Sequence, residues 1–234
     1  MILGVVPARS GSQRLPGKNI KPLLGKPLLG WIVEAALKAS SIDLVIVSTD
    51  SQEIAHIAQS FGALVPRLRP KRLGTSGAGD KGVALDALKM CEEHCLGNAD
   101  HVVWLRPTAP SVTPELIHVC VNALLDAPNS DGLRTVSSVS GVHHPYWMFR
   151  ESGDHIKPFI EGVDVSQYYQ SQLLPKCYRI NGMVDIVTRG WLLQGDSMWG
   201  GRFTYHEIDR SVVTDIDDLL DFRWAELIMR DRQP

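Results

Sequence analysis

The sequence predicts an α/β protein, a mostly parallel sheet with helices on both faces. Three observations predict it. Short apolar runs alternate along the chain with longer stretches of helical period. At 234 residues, 44% hydrophobic and 21% charged, the chain has an ordinary globular composition with enough apolar residues for a large core. The polar motifs PARSGS, STD, RLRP and RPTAP stand where apolar runs end. In such sheets ligands collect outside the carboxyl ends of the strands, so these four segments are expected to share one rim.

The elements follow in order. ILGVV (2–6) reads as a buried strand and PLLGWIVEAALKAS (27–40) as a helix. LVIVSTD (44–50) is a strand, SQEIAHIAQSFG (51–62) a helix and ALVPRL (63–68) a short strand. DKGVALDALKMCEEHC (80–95) has helical period, and HVVWLRP (101–107) is a strand ending in a proline turn. Thr113 is the N-cap of the helix PELIHVCVNALLDA, which Pro114 and Glu115 open. After residue 140 the rhythm changes: GVHHPYWMFRESGDHIKPF reads as an extended, hairpin-like excursion. MVDIV (183–187) returns to the sheet, and DIDDLLDFRWAELIMRD closes the chain as a capped helix. Residues 1–234 thus form one domain, with 141–170 as an arm.

Several function classes drop out. A formal charge of −2 gives no global field for nucleic acid. No apolar run reaches the roughly 20 residues that span a bilayer, and MILGVVPAR lacks the leader of a signal peptide. The expected location is the cytoplasm. Cys91 and Cys95, spaced by four, should share a helix face; with Cys120 and Cys177 they read as free thiols, not a metal site.

Chemistry concentrates after the first strand, in PARSGSQRLPGKNIKPLLGKPLL (7–29). Its cations Arg9, Arg14, Lys18, Lys21 and Lys26 surround small residues whose N–H groups can approach a phosphate closely. It is not a Walker loop: Gly11 and Gly17 are one residue too far apart, and Asn19 stands where a hydroxyl would hold magnesium. It is not a dinucleotide fingerprint either, because G-x-G-x-x-G is absent. A solvated basic loop is the plainer reading, but glycine and charge together at a strand's carboxyl end favour phosphate.

The stretch resembles the signature of the acylneuraminate cytidylyltransferases (CMP-sialic acid synthetases), P-A-R-[GS]-G-S-K-x-[IL]-P-x-K-N-[IL]-K-x-[LF]-x-G-K-P-L. It matches at Pro7, Ala8, Arg9, Gly11, Ser12, Pro16, Lys18, Asn19, Lys21, Gly25, Lys26 and Pro27. Lys18-Asn19 is similar to the acylneuraminate branch more than to the 3-deoxy-manno-octulosonate enzymes. STD (48–50), LRP (68–70), RPTAP (106–110), HPYWM (144–148), YRINGM (178–183) and TDID (214–217) keep the family's order over nearly the whole chain.

The resemblance implies a Rossmann-like nucleotide-diphospho-sugar transferase fold with a dimerisation arm. It also implies transfer of CMP from CTP to the anomeric hydroxyl of a nine-carbon sugar acid, with release of pyrophosphate. Arg9 and Lys18 would meet the triphosphate, Ala8, Ser10, Gly11, Ser12 and Asn19 would wrap the nucleotide, and Lys21 would be a second cation. Tyr178-Arg179-Ile180-Asn181 places Arg179 and Asn181 on one side of a strand, where a guanidinium could take the acceptor's carboxylate; a structural ion pair is the alternative. Asp215 and Asp217, at i and i+2 of an extended segment, can face one magnesium ion, although acids before LLDFRWAEL could equally cap the helix. Asp217 is the firmer ligand and, with Arg9 and Lys18, catalytic. His143, His144, Tyr146 and Trp147 belong to the arm of a homodimer.

Four departures bear on specificity. The family's L-Q-P-T-S-P-L-R is Leu105-Arg106-Pro107-Thr108-Ala109-Pro110-Ser111-Val112 here, so Arg106 replaces a neutral amide that the resemblance places near the sugar or the base. Ser76-Gly77-Ala78-Gly79 stands where an acid and small hydroxyl residues are usual, with Asp80 displaced. Gln13 replaces a lysine, and Asp185 interrupts an apolar strand. Use of another nucleotide or sugar, as by a sugar 1-phosphate guanylyltransferase, and a binding module without catalysis remain open; PARSGS argues against the first and the paired aspartates against the second.

Overall fold

Strand β1 (Ile2–Pro7) lies inside a six-stranded sheet between β4 (Leu44–Ser48) and β5 (His101–Trp104), parallel to both. The computed structural model describes residues 1–12, 14–75 and 77–231. Beyond β5 come β9 (Cys177–Thr188), β6 (Gly132–Val139) and the edge strand β10 (Phe203–Glu207), giving the order β10-β6-β9-β5-β1-β4. β10 runs parallel to β6, while β9 is antiparallel to both of its neighbours. The sheet is therefore mostly parallel, with one strand reversed. A small ladder of β2 (Pro22–Leu23) and β3 (Lys26–Pro27) follows the basic loop, and β7 (Phe149–Ser152) and β8 (His155–Pro158) make a hairpin in the arm.

Alternation along the strands sorts the core. Val6 and Ala8 of the first strand segment, with Val103 and Leu105 of the next, face α1 (Leu28–Lys38) and α4 (Pro114–Leu125). Leu3, Val5, Val102 and Trp104 face the other way, toward α3 (Asp80–Glu93). Both layers are buried, which is why these strands read as continuous apolar runs. Each buried leucine or valine contributes roughly 1.5–3 kcal/mol. Gly30 of α1 is required by packing: a Cβ there would lie 2.6 Å from the Phe61 ring, just past α2 (Gln52–Ser60).

The expected helix starts are observed. Ser51 Oγ accepts from the Ile54 N–H, and Thr113 Oγ1 from the Leu116 N–H, with Pro114 in the first turn. The stretch 63–68 is corrected: only Leu64 bridges, to Ile46, because Pro66 offers no N–H to continue the ladder. Cys95 is also corrected, for it lies exposed beyond the end of α3 at φ 53°, not on the helix face of buried Cys91. Burial pushes the Cys120 thiol up to about 12, so it is inert.

β6, β10 and the short helix α5 (Arg189–Gln194) were not foreseen. β6 hides because its buried side chains include Thr135 and Ser137. Their polarity is satisfied inside the sheet: Thr135 Oγ1 accepts from the Val184 N–H, and Ser137 Oγ donates to the Ile208 carbonyl. In the arm, buried His144 donates through Nε2 to the Pro175 carbonyl and accepts at Nδ1 from the Tyr146 N–H. The Trp147 indole donates to the Tyr168 carbonyl at 2.6 Å. These rings knit the arm together.

Candidate active site

The carboxyl ends of β1, β4 and β5 meet at a cavity of about 420 Å³, lined by Pro7, Arg9, Arg69 and Thr108 among others. Its first wall is the basic loop, which the neighbouring strand end holds in place. Asp50 accepts from the Ser10 N–H at 2.9 Å and from Ser10 Oγ at 3.0 Å. Asn19, buried, donates through Nδ2 to the Arg9 carbonyl at 2.9 Å. Gly17 turns the chain at φ 66°, a conformation that side chains other than glycine's resist. Arg9, Ser12, Arg14, Lys18 and Asn19 line the cavity. Ala8 is fully buried behind them, its N–H bonded to the Ser48 carbonyl. Gly11 is exposed, with room for a close approach.

Opposite lies the acidic segment before α6 (Leu219–Arg230). Arg14 Nη1 reaches Asp217 Oδ2 at 2.7 Å, and Lys18 Nζ donates to the Ile216 carbonyl at 2.7 Å while lying 3.5 Å from Asp217 Oδ1. The helix is capped by neither Asp215 nor Asp217. Asp218 accepts from the Leu220 and Asp221 N–H groups, and Asp221 returns the bond in a capping box. Both candidate ligands are thus released from capping. The Asp215 carboxyl is held above the ordinary aspartate range, first by loss of surrounding solvent and then by the Asp217 charge; Thr108, Arg106 and Lys18 oppose the rise. Its side chain still has exposed surface, so it is a crowded but reachable group. Among the described residues no three His, Cys, Asp or Glu side chains gather as a metal cluster.

The third wall comes from the end of β5 and from α3. Arg106 lines the cavity and its guanidinium is already engaged: Nη1 donates to Asp185 Oδ2 at 2.5 Å, and Nη2 approaches Asp80 Oδ2 at 3.5 Å. Arg134 Nε shares Asp185 through Oδ1 at 3.2 Å. The two departures Arg106 and Asp185 are therefore partners. Gln13 and Ser76 lie outside the described residues.

Ala8, Ser10, Gly11, Lys21, Arg179, Asn181 and Asp215 are not among the residues that line the cavity. Lys21 Nζ sits 5.5 Å over the Phe222 ring. Asn181 is buried, donating to Ser137 Oγ and accepting from the Met183 N–H. Ser137 is the cross-strand partner of Arg179, so Arg179 and Asn181 do share a face of β9, and Arg179 is exposed on it. Arg14, Arg69, Asp80 and Trp104 also line the cavity and were not named as candidates, nor was Arg134, which is joined to Arg106 through Asp185. Arg69 is buried, donating to the Ser48 and Leu73 carbonyls, with burial lowering its pKa. Arg14 and Asp80 stood within the motifs, whereas Arg134 left no trace because β6 itself was unread.

The cytidylyltransferase family profile matches residues 3–153, about two thirds of the chain. The chain belongs to the cytidylyltransferase family. It is 33% identical over 234 residues to the CMP-N,N'-diacetyllegionaminic acid synthase of Legionella pneumophila, covering 97% of this chain and 96% of that one. It is 27% identical to the pseudaminic acid cytidylyltransferase of Campylobacter jejuni, at 97% and 96% coverage. The N-acylneuraminate cytidylyltransferase of Escherichia coli is 30% identical, but the chain spans about half of that protein, 52%. Among solved structures, a CMP:2-keto-3-deoxy-manno-octonic acid synthetase complexed with CTP superposes with a TM-score of 0.74 over 99% of both chains, at 16% identity. That likeness shows the fold, a Rossmann-like nucleotidyltransferase sheet. The chain is a nucleotidyltransferase enzyme of the type the loop motif resembles.

Proposed function

We propose that this cytidylyltransferase transfers CMP from CTP to the anomeric hydroxyl of a nonulosonic, sialic-acid-like sugar and releases pyrophosphate. One observation carries the assignment: the cationic loop and Asp217 line one cavity at the carboxyl ends of the parallel strands, with Asp215 two residues before Asp217 in the same segment. Without ligand, Asp217 is satisfied by Arg14 and Lys18. A triphosphate entering the cavity takes over these cations and leaves the carboxylates in need of positive charge. Arg9 and Lys18 then neutralise the departing pyrophosphate, with Ser10, Gly11, Ser12 and Asn19 supporting the nucleotide. The sugar hydroxyl attacks the α-phosphorus in line, so positioning and charge neutralisation are the protein's work and no covalent nucleophile is needed.

The aspartates fit a divalent ion. Asp215 and Asp217 stand two residues apart, neither caps α6, and the charge of Asp217 adds to burial in raising the Asp215 carboxyl. Asp215 and Asp217 would hold magnesium, which supplies charge neutralisation to the triphosphate when bound. The acceptor would enter beside Arg106, with Arg179 and Asn181 further along β9. The arm supports a homodimer, because Val142, Ile156, Phe159 and Tyr169 are exposed on one small excursion. No helix among the described residues is long and apolar enough to cross a membrane. Four free cysteines suit a cytoplasmic enzyme.

The test is pyrophosphate release with a panel of nucleoside triphosphates, each offered a nonulosonic acid, a shorter keto sugar acid or a sugar 1-phosphate in magnesium. Release is expected with CTP and a nonulosonic acid. Release only with GTP and a sugar 1-phosphate, or none with any pair, would overturn the assignment.

A further inference from the structure

The third wall of the cavity contains a charge cluster laid across three strands. Asp185, fully buried in β9, stands in register between Trp104 of β5 and Arg134 of β6. Its Oδ2 accepts from Arg106 and its Oδ1 from Arg134, so both oxygens are committed to guanidiniums. Asp80 Oδ2 takes Arg106 Nη2 at 3.5 Å and the Trp199 indole N–H at 3.3 Å. The Trp199 ring lies 5.6 Å from the Arg106 guanidinium carbon and 4.6 Å from that of Arg134. Two cations thus meet two carboxylates before any substrate arrives, and the cluster is formally neutral.

That balance decides what Arg106 can read. A bare guanidinium near the acceptor would select its carboxylate. Here the charge is already cancelled by Asp185, and Asp80, at the cavity wall, repels an incoming anion. The wall still offers guanidinium N–H groups of Arg106, an accepting carboxylate at Asp80 and apolar surface from Val83 and Trp104, all lining the cavity. A donor, an acceptor and an apolar face side by side complement an acylamido group: its carbonyl accepts, its N–H donates and its methyl packs.

We propose that Arg106 and Asp80, with Val83 and Trp104, form the selectivity pocket for an acylamido substituent of the acceptor sugar. Asp185 and Arg134 are the positioning residues that hold Arg106 there and cancel its charge. The inference rests on the nonulosonic-acid reading above and deepens it.

The experiment compares two sugar acids that differ only in bearing an acetamido or a hydroxyl group at one ring carbon. The native enzyme should prefer the acetamido sugar in kcat/KM by about 10- to 100-fold, since the alternative leaves polar groups of the wall unmatched. Arg106→Gln should bring that ratio close to unity, chiefly through the KM of the acetamido sugar, with the KM for CTP within about twofold. Arg106→Lys, which keeps the charge and loses the fork, should fall between them. A rise in KM by the same factor for both sugars would mean that Arg106 reads the carboxylate, and would overturn the pocket.

The positioning role is read separately, without substrate, from melting temperatures. Asp185→Asn should lower Tm more in the Arg106 background than in the Arg106→Gln background; equal losses would overturn it. If Asp185→Asn does not fold, recovery of folding in the Arg106→Gln, Asp185→Asn double variant supports the coupling, and failure to recover contradicts it. Turnover with an unchanged sugar ratio sinks the pocket alone. Absence of turnover with every sugar acid sinks the underlying reading, and this proposal with it.

Discussion

The two walls of the cavity hold their charges in opposite ways. On the loop side, Arg14 and Asp217 form an exposed pair at 2.7 Å, their side chains 71% and 56% accessible. On the β5 side, Asp185 is wholly buried and shared by two guanidiniums. An exposed pair is worth at most about 1 kcal/mol and is easily exchanged. A buried carboxylate cannot be left unpaired, and removing it typically costs about 3–5 kcal/mol. The loop side is therefore built to give its partners up to a charged ligand, whereas the β5 side is built to keep them. In the proposed function, chemistry falls to the first wall and selection to the second.

The largest expected effect breaks the exchangeable side. Asp217→Asn should lower kcat by on the order of 10²-fold or more while leaving Tm within a few degrees, because an exposed charge is removed and no core packing. Turnover of the variant in magnesium at near-native rate would remove Asp217 from the chemistry. Asp185→Asn should show the converse, a loss of about 3–5 kcal/mol in denaturant unfolding, since it leaves Arg106 and Arg134 with a neutral partner. A change below about 1 kcal/mol would make the cluster no different from a surface pair.

A smaller effect concerns Asp215 and pH. Its carboxyl is raised in the folded protein, mainly by burial, so the fold favours the protonated form. Stability associated with that proton is present below the ordinary aspartate range and is lost as pH rises through the raised value. Asp215→Asn should accordingly raise Tm of the metal-free protein at pH 7, with the difference fading as pH falls below the ordinary range. Magnesium should stabilise the native protein more than the variant. A variant that melts lower than the native protein at pH 7 would show that the Asp215 charge is satisfied in the ligand-free fold. The smallest effect is on assembly: sedimentation at micromolar concentration should give a dimer, and replacing Ile156 and Phe159 with serine should shift it toward monomer. A native chain that sediments as a monomer would remove the arm from any interface.

Much of the exchangeable wall was legible in the sequence because its residues lie in one loop and one short acidic motif. Arg9, Ser12, Lys18 and Asn19 are within eleven residues of one another, and the strand end before them fixes where they project. The capping alternative for Asp215 and Asp217 could not be settled that way, since Asp218 and Asp221 offer the same chemistry one and four residues after Asp217. The fixed wall was only half legible. Arg106 and Asp185 each stood out as a departure, but their pairing needed the antiparallel return of β9, which no local pattern announces. Arg134 and Thr135 were hidden for a related reason: internally bonded polar side chains erase the apolar alternation by which a strand is read. Lys21, which lies over Phe222 and outside the cavity lining, shows that sequence proximity to a basic loop does not fix where each cation projects.

The division of labour between the walls is tested most directly by steady-state kinetics of Lys18→Ala and Arg106→Gln, each measured against both substrates. The account predicts a crossed pattern. Lys18→Ala should raise the KM for CTP by about tenfold or more and that for the sugar acid little, and Arg106→Gln should do the reverse. Both variants moving the same constant would contradict it.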